Sequence, residues 1–252
     1  MLPAGCWRHP APKGESRVET PRSSALKCRV IHSDKSHCRR YTVVVNLFGG
    51  PGCGKTTLAH ELTAALSRRG LICEYAPEYA KDLTWDAASD DEETASAARS
   101  ALGPSIVQQR AVHDEQMRRI DRPYGSVDAI VTDSPAIISW AYTDGNEDGI
   151  EEFREYMLRE FMSHRNLNLL VSREVPYEQI GRNEDEETAR RKDGIMLDIL
   201  HRTCEPFAEV GKEDLGAIVS AVESMAREGL TAYEAIEREG LREGMEPASA
   251  AE

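Results

Sequence analysis

The chain has 252 residues, 40% of them apolar and only 6% aromatic, which suits one α/β domain with a substantial core and leaves little room for a second. No apolar run approaches the roughly 20 residues of a membrane-spanning helix, and the N-terminus lacks the continuous apolar stretch of a secretory signal. The net charge of −13 is uneven: residues 1–40 hold nine Lys/Arg against three Asp/Glu, and the rest of the chain holds 22 against 41. That acidic body argues against a broad nucleic-acid-binding surface, though not against a local basic cleft.

Residues 1–40 are rich in Pro, Ser, Arg and Lys and show no sustained apolar period, so a disordered basic extension is expected. A basic arm contacting nucleic acid is the functional alternative. Cys28, His32, His37 and Cys38 cluster there at spacings that match no standard zinc pattern. Tyr41–Phe48 reads as a first strand buried on both faces, as in a parallel sheet. A helix from Thr56 to Arg69 follows, with Leu58, Leu62 and Leu66 along one face and Gly70 as its stop. A second strand is expected at Leu71–Ala76, and an acidic loop leading into a helix start at Asp86–Ala101. Ser105–Ile120 reads as a helix carrying Gln109 and Gln116 two turns apart on one face. Asp128–Thr132 is the third strand, ending in Asp133-Ser134-Pro135, and a helix through Trp140 leads into a Gly/Asp turn.

Further on, the pattern predicts a helix at Ile150–His164, a strand at Leu167–Ser172, a long charged helix at Asp185–Arg202, a short strand at Phe207–Val210 and helix from Asp214 onward. From about Gly240 the Ala/Glu-rich tail should fray. Strands alternating with helices imply an α/β fold: a five-stranded, mostly parallel sheet with helices on both faces. Its domain would span residues 41–225, with a lid near 177–202, followed by a C-terminal helix and acidic tail over 226–252.

Gly49-Gly50-Pro51-Gly52-Cys53-Gly54-Lys55-Thr56-Thr57 satisfies the phosphate-loop pattern G-x-x-x-x-G-K-[ST], and it lies between a predicted strand and a helix. Glycines let successive backbone N–H groups turn toward one anion, and the helix presents its positive end to the same anion. A P-loop NTPase fold follows, with ATP and Mg2+ as cofactors. Lys55 would stabilise the transferring phosphate and Thr56 would ligate magnesium. Ligands of such sheets bind beyond the carboxyl ends of the strands. Glu78 and Asp133 fall at two of those ends. Asp133 can hold magnesium directly, hold it through a water, or act as a base; its bland alternative is a helix N-cap. Glu78 is placed to accept a proton from an alcohol, with Asp82 a weaker candidate. Arg182, in Gly181-Arg182-Asn183, and Arg190 on the charged helix can close over phosphates, or simply belong to a salt-bridged surface.

Six cysteines at 6, 28, 38, 53, 73 and 204 include no C-x-x-C pair, and one sits inside the phosphate loop. A reducing, cytoplasmic setting is expected. Asp144, Asn146, Asp148, Gly149 and Glu155 satisfy a calcium-loop pattern, but Glu151 stands where such loops place an apolar residue. A chance acidic turn is the expectation.

The stretch from Val43 to about Val210 resembles the small P-loop kinases common in bacteriophages. The resemblance is carried by Gly49–Lys55, Glu78–Asp82, Gln109–Gln116, Thr132–Pro135, Asn166–Asn168 and Gly181–Asn183. Some such kinases phosphorylate 5-hydroxymethyluridine in viral DNA, and a wider circle includes nicotinamide riboside kinase domains and nucleoside or nucleotide kinases. The resemblance implies γ-phosphate transfer from ATP to a hydroxyl of a nucleoside-type acceptor. The leading acceptor is 5-hydroxymethyluracil in DNA, ahead of a free nucleoside, nucleotide or nicotinamide riboside. Lys55, Asp133, Glu78 and Arg182 would be catalytic, with host cytoplasm as the location if the chain is phage-encoded. No membrane and no obligatory protein partner are implied. The alternatives are an NTP-hydrolysing switch or ATPase and, more weakly, a nucleotide-binding regulator.

Overall fold

The structure is a computed structural model, and it describes residues 41–143, 145–173 and 186–244. The N-terminal extension, Asp144, Gly181–Asn183 with Arg182, the first part of the expected lid and the last eight residues lie outside the described residues.

Six strands make one sheet in the order β2-β3-β1-β4-β5-β6. They are β1 (Val43–Phe48), β2 (Cys73–Ala76), β3 (Ala129–Thr132), β4 (Asn166–Val171), β5 (Phe207–Val210) and β6 (Arg242–Glu243). The first five pair in parallel, as the alternating pattern predicts. β6 is one strand more than expected: two residues pair antiparallel to β5 at the sheet edge, too short to leave a period-2 pattern.

Helix α1 (Lys55–Arg68) buries Leu58, Leu62 and Leu66 against Val43, Val45 and Leu47 of β1. Fully burying each such leucine is worth roughly 1.5–3 kcal/mol. α7 (Leu215–Glu228) and α8 (Ala232–Glu239) complete that face. The opposite face is covered by α4 (Ile106–Asp121), a 3-10 run at Ala136–Tyr142, α5 (Ile150–Phe161) and α6 (Glu186–Thr203). The 3-10 run replaces the ordinary helix expected through Trp140. Ser105 caps α4 in a capping box with Gln108, where the sequence placed the helix start.

The Glu74–Ala101 region is more helical than expected. α2 (Tyr79–Asp86) starts immediately after Glu78, and α3 (Glu92–Ala101) is capped by Asp91. Both are short, and α3 buries only Ala95 and Ala98, so neither leaves a strong apolar period.

Asn46, Asn166 and Asn168 form a buried amide ladder. Asn46 Nδ2 donates to Asn166 Oδ1 at 2.9 Å and to Asn168 Oδ1 at 3.1 Å, joining β1 to β4. The Asn-Leu-Asn strand is thus a structural element of the sheet. Among the described residues no helix is long and apolar enough to cross a membrane. No cluster of three or more His, Cys, Asp or Glu that could hold a metal ion occurs among them. Within the acidic turn, Glu147 accepts the Ile106 N–H at 2.7 Å and Glu151 pairs with Arg154.

His113 on α4 is fully buried between Phe153 and Tyr156. Its Nδ1 lies 3.0 Å from the Ala136 carbonyl, which only accepts, so Nδ1 carries the proton. Nε2 has no partner among the described residues. Burial holds the imidazole below its ordinary pKa; the Ala136 carbonyl, Asp114 and Glu160 oppose the shift, and Arg110 adds to it. The unfolded chain therefore takes up a proton at a pH where the folded chain does not. Stability falls as pH drops from about 6.5, by up to about 1.4 kcal/mol per pH unit for this group. Thermal melts from pH 7.5 to 5.5 should show that decline, and His113→Gln should flatten it.

Candidate active site

The phosphate loop occupies the turn from β1 into α1, at the carboxyl edge of the sheet. Two of its glycines are required by its shape. Gly49 has φ +139°, and a Cβ there would lie 2.6 Å from Cys53 Sγ. Gly54 is left-handed at φ 97°, caps α1 with no side-chain bond and leaves the first N–H groups of the helix facing outward. Lys55 folds back over its own loop: Nζ donates to the carbonyls of Gly49 at 2.7 Å and Gly50 at 2.9 Å.

Thr56 Oγ1 donates to Asp133 Oδ2 at 2.5 Å. Asp133 is only 2% exposed, and its other oxygen, Oδ1, is buried without a hydrogen-bond partner among the described residues. A carboxylate oxygen left in that state is costly unless a ligand meets it. The hydroxyl and carboxylate are hard oxygen donors suited to magnesium. Asp133 is not used as a helix cap: Pro135 holds that position for the 3-10 run, with no side-chain bond. Tyr75, near the end of β2, faces Asp133; burial and that carboxylate push its phenol well above the ordinary range.

Glu78 stands between β2 and α2, and no side-chain cap bond occupies it. Its pKa is raised, chiefly by burial; Lys55 and Lys81 oppose the shift, while Asp133 and Asp82 add to it. A carboxyl in that condition holds a proton more readily than an exposed one, as a proton acceptor must. Gln116 fixes the segment that carries it: Oε1 accepts the Tyr79 N–H at 2.9 Å, and Nε2 donates to the Pro77 carbonyl at 3.3 Å. Gln109 Nε2 donates to the Gly103 carbonyl at 2.7 Å. The two glutamines thus act as struts, positioned as their two-turn spacing suggested.

These residues share one cavity of about 550 Å³. It is lined by most of the phosphate loop, by Glu78 and Asp133, and by a chamber wall that mixes Leu102, Val112, Ile138, Tyr142 and Met196 with Thr84, Gln109, Gln116 and Ser139. On the other side of the loop a small cleft is bordered by Thr57, Glu61, Ser172, Gly211 and Lys212. Asp82 belongs to neither; it pairs with Arg119 at 2.6 Å on the surface. Arg190 is exposed on α6 and does not line the cavity. Arg182 cannot be placed, because it lies outside the described residues.

Three contributors escaped the sequence reading. The apolar part of the chamber wall comes from the end of α3, from α4, the 3-10 run and α6, and its residues carry no chemical signature. Gly211 and Lys212 become noticeable only because β5 ends beside the loop. Arg173 and Asp193 converge on Gly50 and Pro51 from separate elements, with no spacing to announce it.

A family model described as an AAA domain matches residues 44–217. The chain belongs to that family. Its architecture is the AAA-type P-loop NTPase fold. Similar solved structures include the NadR protein in complex with NR, at 18% identity and a TM-score of 0.49 over 82% of this chain and 54% of that one. Another is APE1195, at 17% identity and a TM-score of 0.35 over 75% of this chain and 98% of that one. The chain thus spans about half the length of the NadR structure. A search of curated proteins finds no match.

Replacing Asp133 by Asn keeps the shape while removing the charge that faces Thr56. Titration calorimetry of ADP with and without Mg2+ should show magnesium-dependent tightening in the wild type, reduced at least about tenfold in Asp133→Asn.

Proposed function

We propose that this AAA-family chain is a magnesium-dependent kinase that moves the γ-phosphate of ATP to a hydroxyl of a small nucleoside-type acceptor. The observation that carries this reading is the chamber beyond Glu78 and Asp133. Hydrolysis needs room only for a water at the end of the phosphate chain. Here the cavity continues into a space of mixed apolar and polar walls, and its total volume falls within the roughly 300–1,000 Å³ of small-molecule sites.

The roles follow from position. Backbone N–H groups of Gly52–Thr57 would cradle the phosphates, with the donor's nucleoside end toward Thr57, Gly211 and Lys212. Lys55 would exchange its two loop carbonyls for phosphate oxygens and stabilise the charge that develops there. Thr56 and Asp133 would hold a magnesium ion, which neutralises charge on the β- and γ-oxygens when bound. Glu78 would take the proton of the acceptor hydroxyl as that oxygen bonds to the γ-phosphorus. The bond from phosphorus to the β-bridging oxygen then breaks, and its electron pair leaves with ADP. The apolar part of the chamber wall would hold the acceptor's ring and exclude water.

Chamber size and charge favour a free acceptor over 5-hydroxymethyluracil in DNA. The chain beyond residue 40 carries 22 basic groups against 41 acidic ones, which repels a phosphate backbone. A base within DNA would first have to be flipped out of its stack to reach the chamber.

Incubation with γ-labelled ATP and separate panels of nucleosides, nucleotides and hydroxymethyluracil DNA should move label to a free nucleoside-type acceptor. Glu78→Gln should lower that transfer about 10²–10⁴-fold while leaving MgADP affinity within a few-fold. Stoichiometric phosphate release with no transfer to any hydroxyl would instead establish an NTPase.

A further inference from the structure

Two charged side chains that the proposed chemistry does not use converge on the leading half of the phosphate loop. Asp193, on α6, accepts the backbone N–H of Gly50 through Oδ1 at 2.6 Å. Arg173, two residues beyond β4, forks onto the same carboxylate, with Nε donating to Oδ2 at 3.0 Å and Nη2 to Oδ1 at 3.1 Å. Its third nitrogen, Nη1, donates to the Pro51 carbonyl at 2.8 Å. The Arg173 side chain is 9% exposed and that of Asp193 32%. This is a bidentate, largely desolvated pair, the geometry in which an ion pair fixes orientation.

The loop needs such a support. Gly49, Gly50, Gly52 and Gly54 impose little shape of their own. The bonds from Lys55 to the carbonyls of Gly49 and Gly50 hold the same stretch, but they are lost when the ammonium turns to phosphate. The bonds from Arg173 and Asp193 do not depend on Lys55 and reach the loop from two other elements. α6 also touches the chamber. Met196, one turn beyond Asp193, lines it, and Lys192 Nζ packs 3.3 Å from the centre of the Tyr142 ring, another lining residue.

We propose that Arg173 and Asp193 are positioning residues: they hold Gly50 and Pro51 in the triphosphate-binding shape and tie that shape to α6, the helix that also walls the acceptor chamber. The inference rests on the loop being the triphosphate site. Neither residue touches phosphate; they lower the ordering cost of binding it.

Calorimetric MgADP binding to the full chain, measured well below the melting temperature, tests this. Asp193→Asn keeps an acceptor for the Gly50 N–H but loses the charge that orients Arg173. Arg173→Lys keeps a charge but cannot reach Asp193 and Pro51 as one fork. Each should raise the MgADP Kd about tenfold. The double variant should be no weaker than the weaker single, because the pair acts as one unit. Unchanged Kd in Arg173→Lys and Asp193→Asn, even with lowered melting temperatures, would reduce the pair to a fold-stabilising contact and overturn the proposal. Additive losses in the double variant would overturn the single-unit claim. If Asp193→Asn does not fold, the Kd of Arg173→Lys decides. Absence of MgADP binding to the unaltered chain would overturn the loop reading and this inference with it.

Discussion

The hydrogen bond from Thr56 to Asp133 joins the first turn of α1 to the end of β3, and the site depends on the strand register that permits it. β1 and β3 are parallel neighbours, with Asn46 opposite Thr132. Continued by one residue, that register sets Asp133 beside Leu47, two residues before the phosphate loop begins. A slip of one residue would turn Asp133 to the other face of the sheet. The apolar strands prevent such a slip, because Ala129–Thr132 and Val43–Phe48 are buried throughout and helices cover both faces. Core packing is therefore what sets the relative position of the hydroxyl and the carboxylate.

The same strand order makes the site two-sided. β3 and β2 lie on one flank of β1, and β4 and β5 on the other. Asp133 and Glu78 follow β3 and β2, so both carboxylates fall on one side of the loop. Ser172 and Gly211 follow β4 and β5, so the small cleft falls on the opposite side. A phosphate chain lying across the loop would have a cleft at one end and a chamber at the other. Under the proposed kinase reading, that order would put the acceptor on the Glu78 and Asp133 flank and the donor's nucleoside on the other.

Much of this was legible in the sequence because it is local. The phosphate loop is contiguous, and its flanking strand and helix announce themselves by burial and period. Asp133 and Glu78 could be singled out because ligands of such sheets gather beyond the strand ends, and the two do line one cavity. What could not be read is what depends on tertiary meeting. Arg173 and Asp193 are twenty residues apart and grip a loop more than 120 residues upstream. Gln116 was visible as one of a spaced pair, yet its bonds to Pro77 and Tyr79 need α4 to lie beside β2. Asp82, the weaker candidate of the same segment, lies on α2 and pairs with Arg119 at the surface.

The site holds its charged groups in unfavourable surroundings. Among the described residues one buried oxygen of Asp133 has no hydrogen-bond partner, burial raises the pKa of Glu78, and Lys55 donates to carbonyls of its own loop. Each arrangement is less favourable than a solvated or fully paired one. A site selected only for stability would replace these groups with apolar side chains. Their concentration at one sheet edge fits the proposal that local stability is given up there for ligand binding. The Arg173–Asp193 pair sits at the boundary of that region. Its carboxylate is fully engaged and its guanidinium is nearly buried, so it can hold the loop rigid while Lys55, Thr56 and Asp133 change partners. A rigid frame around exchangeable contacts is what the proposed phosphoryl transfer would require, because most of the catalysis of such transfers is positioning and charge stabilisation.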